Sequence, residues 1–194
     1  MLGDYMKYHY YLITIIMSVL ILGCSTSHEI KYYSIDSLSA LSVSDSKEPE
    51  TIYLKRLSIP EFLDSTNLVY RKSKYEWIQT NNHKWISPLK DILKISLKKQ
   101  FTNNGYILLD VKCPSELNCG ELSIQIKDFS GSFNSESTVD FDWIYSKDNK
   151  ICYGNVAKVV NFKENSYESM IDALNEAWQD VNFKLISEIK TCKK

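Results

Sequence analysis

Five cysteines are the residues of this sequence with the most sharply defined chemistry, because a thiol can be acylated, form a disulfide or bind a metal. Cys24 follows an apolar stretch near the N-terminus, whereas Cys113, Cys119, Cys152 and Cys192 lie in the second half of the chain. Cys113 and Cys119 do not have a zinc-knuckle spacing, and no histidine lies near them in the sequence. The pattern therefore favours acylation and disulfides over a metal site.

The apolar stretch before Cys24 has the three parts of a secretory signal peptide. Lys7 gives it a basic start, residues 8–22 are mostly apolar or aromatic, and Gly23 is a small residue before the cut. About 15 such residues are too few for a stable transmembrane helix, which needs roughly 20. We therefore predict cleavage between Gly23 and Cys24; an uncleaved anchor with an incidental cysteine is the alternative.

The ending Ile21-Leu22-Gly23-Cys24 resembles the lipobox at which bacterial lipoproteins are processed. In such proteins the thiol receives a diacylglyceryl group before cleavage, and the freed amine then receives an acyl chain such as palmitate. The resemblance implies a signal peptide at residues 1–23 and a lipidated tether at residues 24–30, with no other cofactor. Translation from Met6 gives a better signal start than translation from Met1, and the sequence leaves that choice open.

The four cysteines that remain after acylation of Cys24 are an even number in an oxidising compartment, which indicates disulfides. Four cysteines allow three pairings. Cys113 and Cys119 flank a short turn-like segment between two strand candidates, which favours a bridge between them. Cys152 would then pair with Cys192, and four free thiols are the alternative.

Composition predicts a single exported domain at residues 31–194. Removal of residues 1–23 from the chain of 194 leaves 171, enough for one domain with a sizeable core. The formal net charge of −1 argues against a nucleic-acid-binding surface. The 13 Tyr and 4 Trp suit a β-rich domain or an amphipathic contact surface.

Apolar periodicity predicts an α+β domain in which an antiparallel or mixed sheet packs against two main helices. A first helix begins near Ser87 and Pro88, which suit an N-cap and a first-turn position, and ends at Asn103-Asn104-Gly105. A longer amphipathic helix spans Ser166–Ile189. The strand candidates are residues 30–35, 51–59, 67–71, 75–79, 106–111, 121–129, 139–145 and 151–162, and residues 38–49 read as a loop.

The sequence contains no constellation typical of catalysis: no Gly-x-Ser-x-Gly, no His-Glu-x-x-His and no glycine-rich phosphate loop. His9 lies in the signal and His28 in the tether, so only His83 remains, which we interpret as a surface or capping residue. The carboxylates of Glu61, Asp64, Asp140 and Asp142 could in principle pair for catalysis. Asp140 and Asp142 occupy alternate positions of a strand candidate, however, and such a pair more often lies on a solvated face. We expect no catalytic residue, no metal and no enzyme activity.

A series of motifs at residues 52–101 resembles the ABC-type transport auxiliary lipoprotein family. The series is Ile59-Pro60-Glu61-Phe62-Leu63-Asp64, Leu68-Val69-Tyr70-Arg71 and Trp85-Ile86-Ser87-Pro88-Leu89. Weaker matches at Tyr32-Tyr33, Ile124–Gly131 and Val139–Trp143 extend the resemblance over essentially the whole mature domain. The sequence departs from the family pattern in having Phe62 where Tyr is usual and Lys84 in place of Arg.

The resemblance implies a non-enzymatic component of a lipid-trafficking system across the cell envelope. Family members act beside MCE-domain proteins, which move phospholipid, and beside inner-membrane permeases. Such a lipoprotein would dock on the MCE protein and fix it to the membrane that holds its acyl chains. Ser25 after the lipidated cysteine favours the periplasmic face of the outer membrane over the inner membrane, because Asp there is the usual retention signal.

The residues that the resemblance places at the partner surface are Pro60, Glu61, Phe62, Leu63, Arg71 and Trp85. The alternative is that Pro60 and Leu63 merely turn the chain, that Trp85 fills the core and that Arg71 pairs with Glu61. A direct binder of lipid or another hydrophobic ligand, in a cleft between helix and sheet, is the alternative function, and an envelope hydrolase is a weaker one. The sequence leaves open the MCE partner, the lipid moved and whether the chain forms a homo-oligomer.

Overall fold

The structure of the chain is a computed structural model that describes residues 9, 11, 29–35, 49–132, 134–164 and 166–192. Gly23, Cys24, most of the predicted signal peptide and tether, and nearly all of the predicted loop at 38–49 lie outside these residues. The elements in chain order are β1 (Lys31–Tyr33), β2 (Glu50–Ser58), β3 (Asn67–Arg71), β4 (Trp77–Trp85), α1 (Leu89–Asn103), β5 (Tyr106–Leu109), β6 (Gly120–Ser132), β7 (Glu136–Lys147), β8 (Lys150–Asn161) and α2 (Tyr167–Cys192).

Strand β6 organises a mixed sheet. One edge of β6 pairs antiparallel with β7, which in turn pairs antiparallel with β8. The other edge pairs first with β2 and then, at Gly131 and Ser132, with β3, and both pairings are parallel. Strand β5 extends the sheet beyond β2, while β4 and β1 extend it beyond β3. Two strands, β2 and β3, thus share one edge of β6, and we call this arrangement the split edge. The predicted α+β domain with a mixed sheet and two helices is confirmed.

Alternation along the strands places one face of the sheet against the helices. Leu122, Ile124 and Ile126 of β6 point to this helix face, as do the buried residues of β7 from Val139 to Tyr145. Period-2 alternation of this kind is expected when one face of a sheet is buried and the other is solvated. We call the opposite face, which the described helices leave uncovered, the open face.

Trp178 of α2 fills the centre of the space between sheet and helices. Its ring makes edge-to-face contacts with Phe129 and Phe141, each at a centroid distance of 6.0 Å. Its indole N–H donates a 3.0 Å hydrogen bond to Ser96 Oγ of α1, so the buried polar group is satisfied. The side chain is fully buried, and the layer between sheet and helices is therefore a packed core.

The helix termini are close to those predicted, with one difference at α1. Pro88 is the N-cap residue rather than a first-turn residue, and no side chain caps the helix, so the predicted Ser87 cap is wrong. At the start of α2, Ser166 Oγ accepts a 3.1 Å hydrogen bond from the Ser169 N–H, which satisfies one free donor of the first turn. Neither helix is long and apolar enough to cross a membrane within the described ranges.

Both disulfides that the spacing favoured are present. Cys113 and Cys119 close a loop between β5 and β6 with a sequence separation of 6, and Cys152 and Cys192 join β8 to the end of α2 with a separation of 40. The second bridge holds the last turn of α2 against the strand at the sheet edge.

The loop lengths predict unequal contributions of the two disulfides to stability. Loop-closure entropy gives about 4 kcal/mol for the Cys152–Cys192 bridge and about 2 kcal/mol for the Cys113–Cys119 bridge. We expect the Cys152→Ser/Cys192→Ser variant to lose more free energy of unfolding than the Cys113→Ser/Cys119→Ser variant. Urea denaturation followed by tryptophan fluorescence measures both losses, and equal or reversed losses would contradict this ordering.

Candidate functional site

A tight turn between β2 and β3 carries four of the residues predicted at the partner surface. The N–H groups of Leu63 and Asp64 both donate to the Pro60 carbonyl, at 2.9 and 3.1 Å. This turn points Leu63 into the core and leaves Phe62 about half exposed and Glu61 exposed. The turn thus separates a structural residue from two residues that are accessible to a partner.

Phe62 and Arg71 meet at Trp77 of β4. The Phe62 ring makes an edge contact with the Trp77 ring at a centroid distance of 5.0 Å. The Arg71 guanidinium carbon lies 4.6 Å from the Trp77 ring centroid, a cation–π geometry. Arg71 Nη2 also donates to Asp128 Oδ2 of β6. We call these four residues, Phe62, Arg71, Trp77 and Asp128, the aromatic cluster.

The aromatic cluster is fixed in place by Asp128. The Asp128 side chain is 13% exposed, against 38% for Arg71, and its second oxygen accepts a 2.6 Å hydrogen bond from Ser130 Oγ. Burial raises the pKa of the Asp128 carboxyl, whereas the Ser130 hydrogen bond and the Arg71 charge act against the rise. Held by Asp128 on one side and by Trp77 on the other, Arg71 has little conformational freedom to lose when a partner binds.

Leu63 and Trp85 lie in the core rather than on the surface. Their exposed fractions are 1% and 2%, and the Trp85 ring contacts Phe129 edge-to-face at 6.2 Å. Arg71 pairs with Asp128, and the structure shows no pairing with Glu61 among the described residues. Of the six residues predicted at the partner surface, the structure brings Phe62 and Arg71 together and assigns Trp85 and Leu63 to packing.

Sequence reasoning missed Trp77 and Asp128. Trp77 lies within the strand predicted at residues 75–79, and the antiparallel register of β3 and β4 places it directly opposite Arg71. Asp128 reaches Arg71 through the parallel pairing of β3 with β6, and it lies 57 residues further along the chain. No local pattern in the sequence indicates that pairing.

The carboxylates Asp140 and Asp142 lie on the open face and share their partners. Lys127 Nζ lies 3.2 Å from Asp140 and 2.9 Å from Asp142, and Asn155 Nδ2 donates to both at 2.6 and 3.0 Å. Hydrogen bonds from Lys127 and Asn155 lower the pKa of Asp142, and the bond from Lys127 has the larger effect. No group of three His, Cys, Asp or Glu side chains suited to hold a metal ion is found in the part of the chain that the structure describes.

His83 lies in β4 between two tyrosine rings, which differs from the surface or capping role expected. Its ring stacks on Tyr167 at 3.7 Å and more loosely on Tyr33 at 5.8 Å, and its Nδ1 lies 2.9 Å from the Tyr33 hydroxyl. That hydroxyl donates to Glu168 Oε1 at 3.2 Å, and Lys31 Nζ pairs with the same oxygen at 3.1 Å. We call these five residues, Lys31, Tyr33, His83, Tyr167 and Glu168, the His83 cluster. The cluster connects β1 to the first turn of α2.

Residues 33–184, which are most of the chain, match the sequence profile of the family described as ABC-type transport auxiliary lipoprotein component. The chain belongs to this family. Membership in the ABC-type transport auxiliary lipoprotein family makes the chain a transport-associated lipoprotein. The aromatic cluster lies within the matched range, as does the His83 cluster apart from Lys31.

A curated relative of this family member is the intermembrane transport lipoprotein PqiC of Escherichia coli, which is 21% identical over 172 residues, 87% of this chain and 91% of the relative. The fold also resembles those of solved structures. A crystal structure of an uncharacterized protein superposes with a TM-score of 0.70 at 16% identity, over 83% of this chain and 99% of that one. A protein from Xanthomonas campestris superposes with a TM-score of 0.63 at 14% identity, over 80% and 92% of the two chains. These likenesses support the same fold.

The His83 cluster predicts a loss of stability in mild acid. Burial lowers the pKa of His83, Lys31 lowers it further and Glu168 opposes the shift. The unfolded chain therefore binds a proton at a higher pH than the folded one, so stability falls as the pH falls from about 7 towards 5. We expect His83→Phe, which keeps a stacked ring but cannot titrate, to reduce this fall.

Denaturant midpoints of the wild type and His83→Phe at pH 7.5 and 5.5 measure the effect. The prediction fails if both proteins lose the same free energy of unfolding between the two pH values.

Proposed function

We propose that this lipoprotein is held by lipid chains on Cys24 at the periplasmic face of the outer membrane, where it acts as a non-enzymatic adaptor. Its partner in this role is an MCE-domain protein of a phospholipid transport system that includes an inner-membrane permease. Support comes from the family, from the PqiC relative described as an intermembrane transport lipoprotein, and from Ser25 after the acylated cysteine.

A lipid anchor leaves the folded domain free to bind a protein. Each buried methylene of an acyl chain contributes about 0.8 kcal/mol, so two or three chains hold a protein far more firmly than one. The folded domain then needs no membrane-binding surface of its own. Its exposed faces can serve a partner instead.

The aromatic cluster is the observation that carries this proposal. Interface hot spots are enriched in Trp, Tyr and Arg, and they bind best where their geometry is set before the partner arrives. Phe62 and Arg71 are accessible, and Trp77 is partly buried and contacts both. Asp128 forms an ion pair with the Arg71 guanidinium. Exposed Glu61 beside Phe62 can add a polar contact at the rim.

The alternative function, a lipid carrier with a cleft between helix and sheet, receives less support. Trp178, Phe129 and Phe141 pack against one another in the layer where that cleft would lie, and each is at most 1% exposed. Opening a space for an acyl chain there would break these contacts. Replacing one large core aromatic by Ala typically costs about 3–5 kcal/mol.

Co-purification from detergent-solubilised membranes tests the adaptor role. Tagged wild type, Phe62→Ala and Arg71→Lys are compared, with Phe183→Ala as the matched control because Phe183 is exposed on the outer side of α2. Arg71→Lys keeps the charge near Asp128 and removes the planar fork. Mass spectrometry identifies the proteins and lipids recovered.

We expect wild type and Phe183→Ala to recover an MCE-domain protein in equal amounts. Phe62→Ala should weaken recovery about 30-fold, the effect of losing a contact of about 2 kcal/mol at a hot spot. Repeated absence of an MCE-domain protein from the wild-type sample contradicts the adaptor role. Phospholipid recovered without a protein partner supports direct lipid binding instead.

A further inference from the structure

The open face carries a depression of about 240 Å³ over β2, β6 and β7. Arg56, Ser123 and Ile144 line it and are direct neighbours across these three strands, and Tyr153 of β8 follows Ile144 in the same register. Strands lie about 4.8 Å apart, so this row extends about 14 Å from the guanidinium end to the phenol end. We call these four residues the Arg56 row.

The cationic end of the row has hydrogen-bond donors without partners. Arg56 makes no hydrogen bond or ion pair with any residue that the structure describes, and the same holds for the Ser123 hydroxyl and the Gln125 amide beside it. Lys55, the neighbour of Arg56 in the chain, is engaged with Glu121 at 2.8 Å. Donors on three side chains therefore converge on the depression.

The acidic residue that lines the depression is already engaged. Asp142 lies in the adjacent row, and its carboxylate is bound by Lys127 at 2.9 Å and by Asn155 at 3.0 Å. Among the charged side chains that line the depression, Arg56 is thus the one whose charge the described residues leave unbalanced.

The other end of the row is apolar and exposed. Ile144 is 53% exposed and Tyr153 is 80% exposed, and Ile151 on the same face of β8 is 68% exposed. Three large apolar side chains lie close together on one sheet face. Covering them lowers the free energy, because apolar area is removed from water. The row thus combines a hydrogen-bonding cation at one end with an apolar surface at the other.

We propose that the Arg56 row is a binding site for an amphiphile with a phosphate headgroup. The guanidinium fork, a hydroxyl and an amide together match the three or four oxygens of a phosphate better than the two of a carboxylate. The volume is below the roughly 300–1,000 Å³ that encloses a drug-sized ligand, so the depression takes the headgroup. The alkyl chain then lies across Ile144 and Tyr153. The site is separate from the aromatic cluster and does not depend on the adaptor role.

Native mass spectrometry of the full lipidated protein in dodecyl maltoside tests this site. Dodecyl phosphate and dodecylphosphocholine are titrated in, because they share an alkyl chain with the neutral detergent and differ in the headgroup. The variants are Arg56→Gln, Tyr153→Ser and the control Lys163→Gln, an exposed lysine beyond the end of β8. Because the side chains replaced are exposed, the variants should unfold at the wild-type urea midpoint.

The expected result is a saturable one-to-one adduct of wild type and Lys163→Gln with at least one of the two phosphate amphiphiles. Arg56→Gln should bind about tenfold more weakly, as expected for a charged hydrogen bond of about 1.4 kcal/mol, and Tyr153→Ser about fivefold more weakly. A preference for the monoester indicates a phosphatidate-like headgroup, and a preference for the diester indicates a substituted phospholipid headgroup. Equal binding by wild type and Arg56→Gln, or adducts of dodecyl maltoside alone, would overturn the proposal.

Discussion

Strand β6 pairs with three other strands, and the arrangement of the domain follows from this constraint. Its 13 residues are long enough for β2 and β3 to pair one after the other along the same edge while β7 occupies the opposite edge. The chain must leave the sheet between β2 and β3, and it does so at Pro60. The turn that presents Phe62 is therefore a consequence of the split edge, and so is the position of Arg71 beside Asp128.

The two faces of the sheet have different roles: one forms the core and the other carries the proposed binding surfaces. The helix face is filled by interlocking aromatic and aliphatic side chains around Trp178, which gives the domain its stability. The open face carries the aromatic cluster at the β3 side of the split and the Arg56 row at the β2 side. Lys127, with its two carboxylates, lies on β6 between them. A protein partner and a phosphate amphiphile could thus occupy neighbouring parts of one surface.

Local patterns in the sequence were sufficient for the elements and insufficient for their pairing. Alternation predicted β6 and β7, helical spacing predicted both helices, and cysteine spacing favoured the two disulfides that the structure contains. Nothing local indicates the parallel pairing of β3 with β6, so Asp128 was missed as the partner of Arg71. The burial of Trp85 and the stacking of His83 follow from the extension of β4 beyond the predicted residues 75–79, which brings both into the sheet.

We propose that the open face contacts the transport partner at the aromatic cluster. Site-specific photo-crosslinking in intact cells tests this most directly, with p-benzoylphenylalanine placed at Phe62 or at Phe183. We predict that position 62 crosslinks to an MCE-domain protein and that position 183, on the outer side of α2, does not. Crosslinks to that protein from position 183 and none from position 62 would contradict the account.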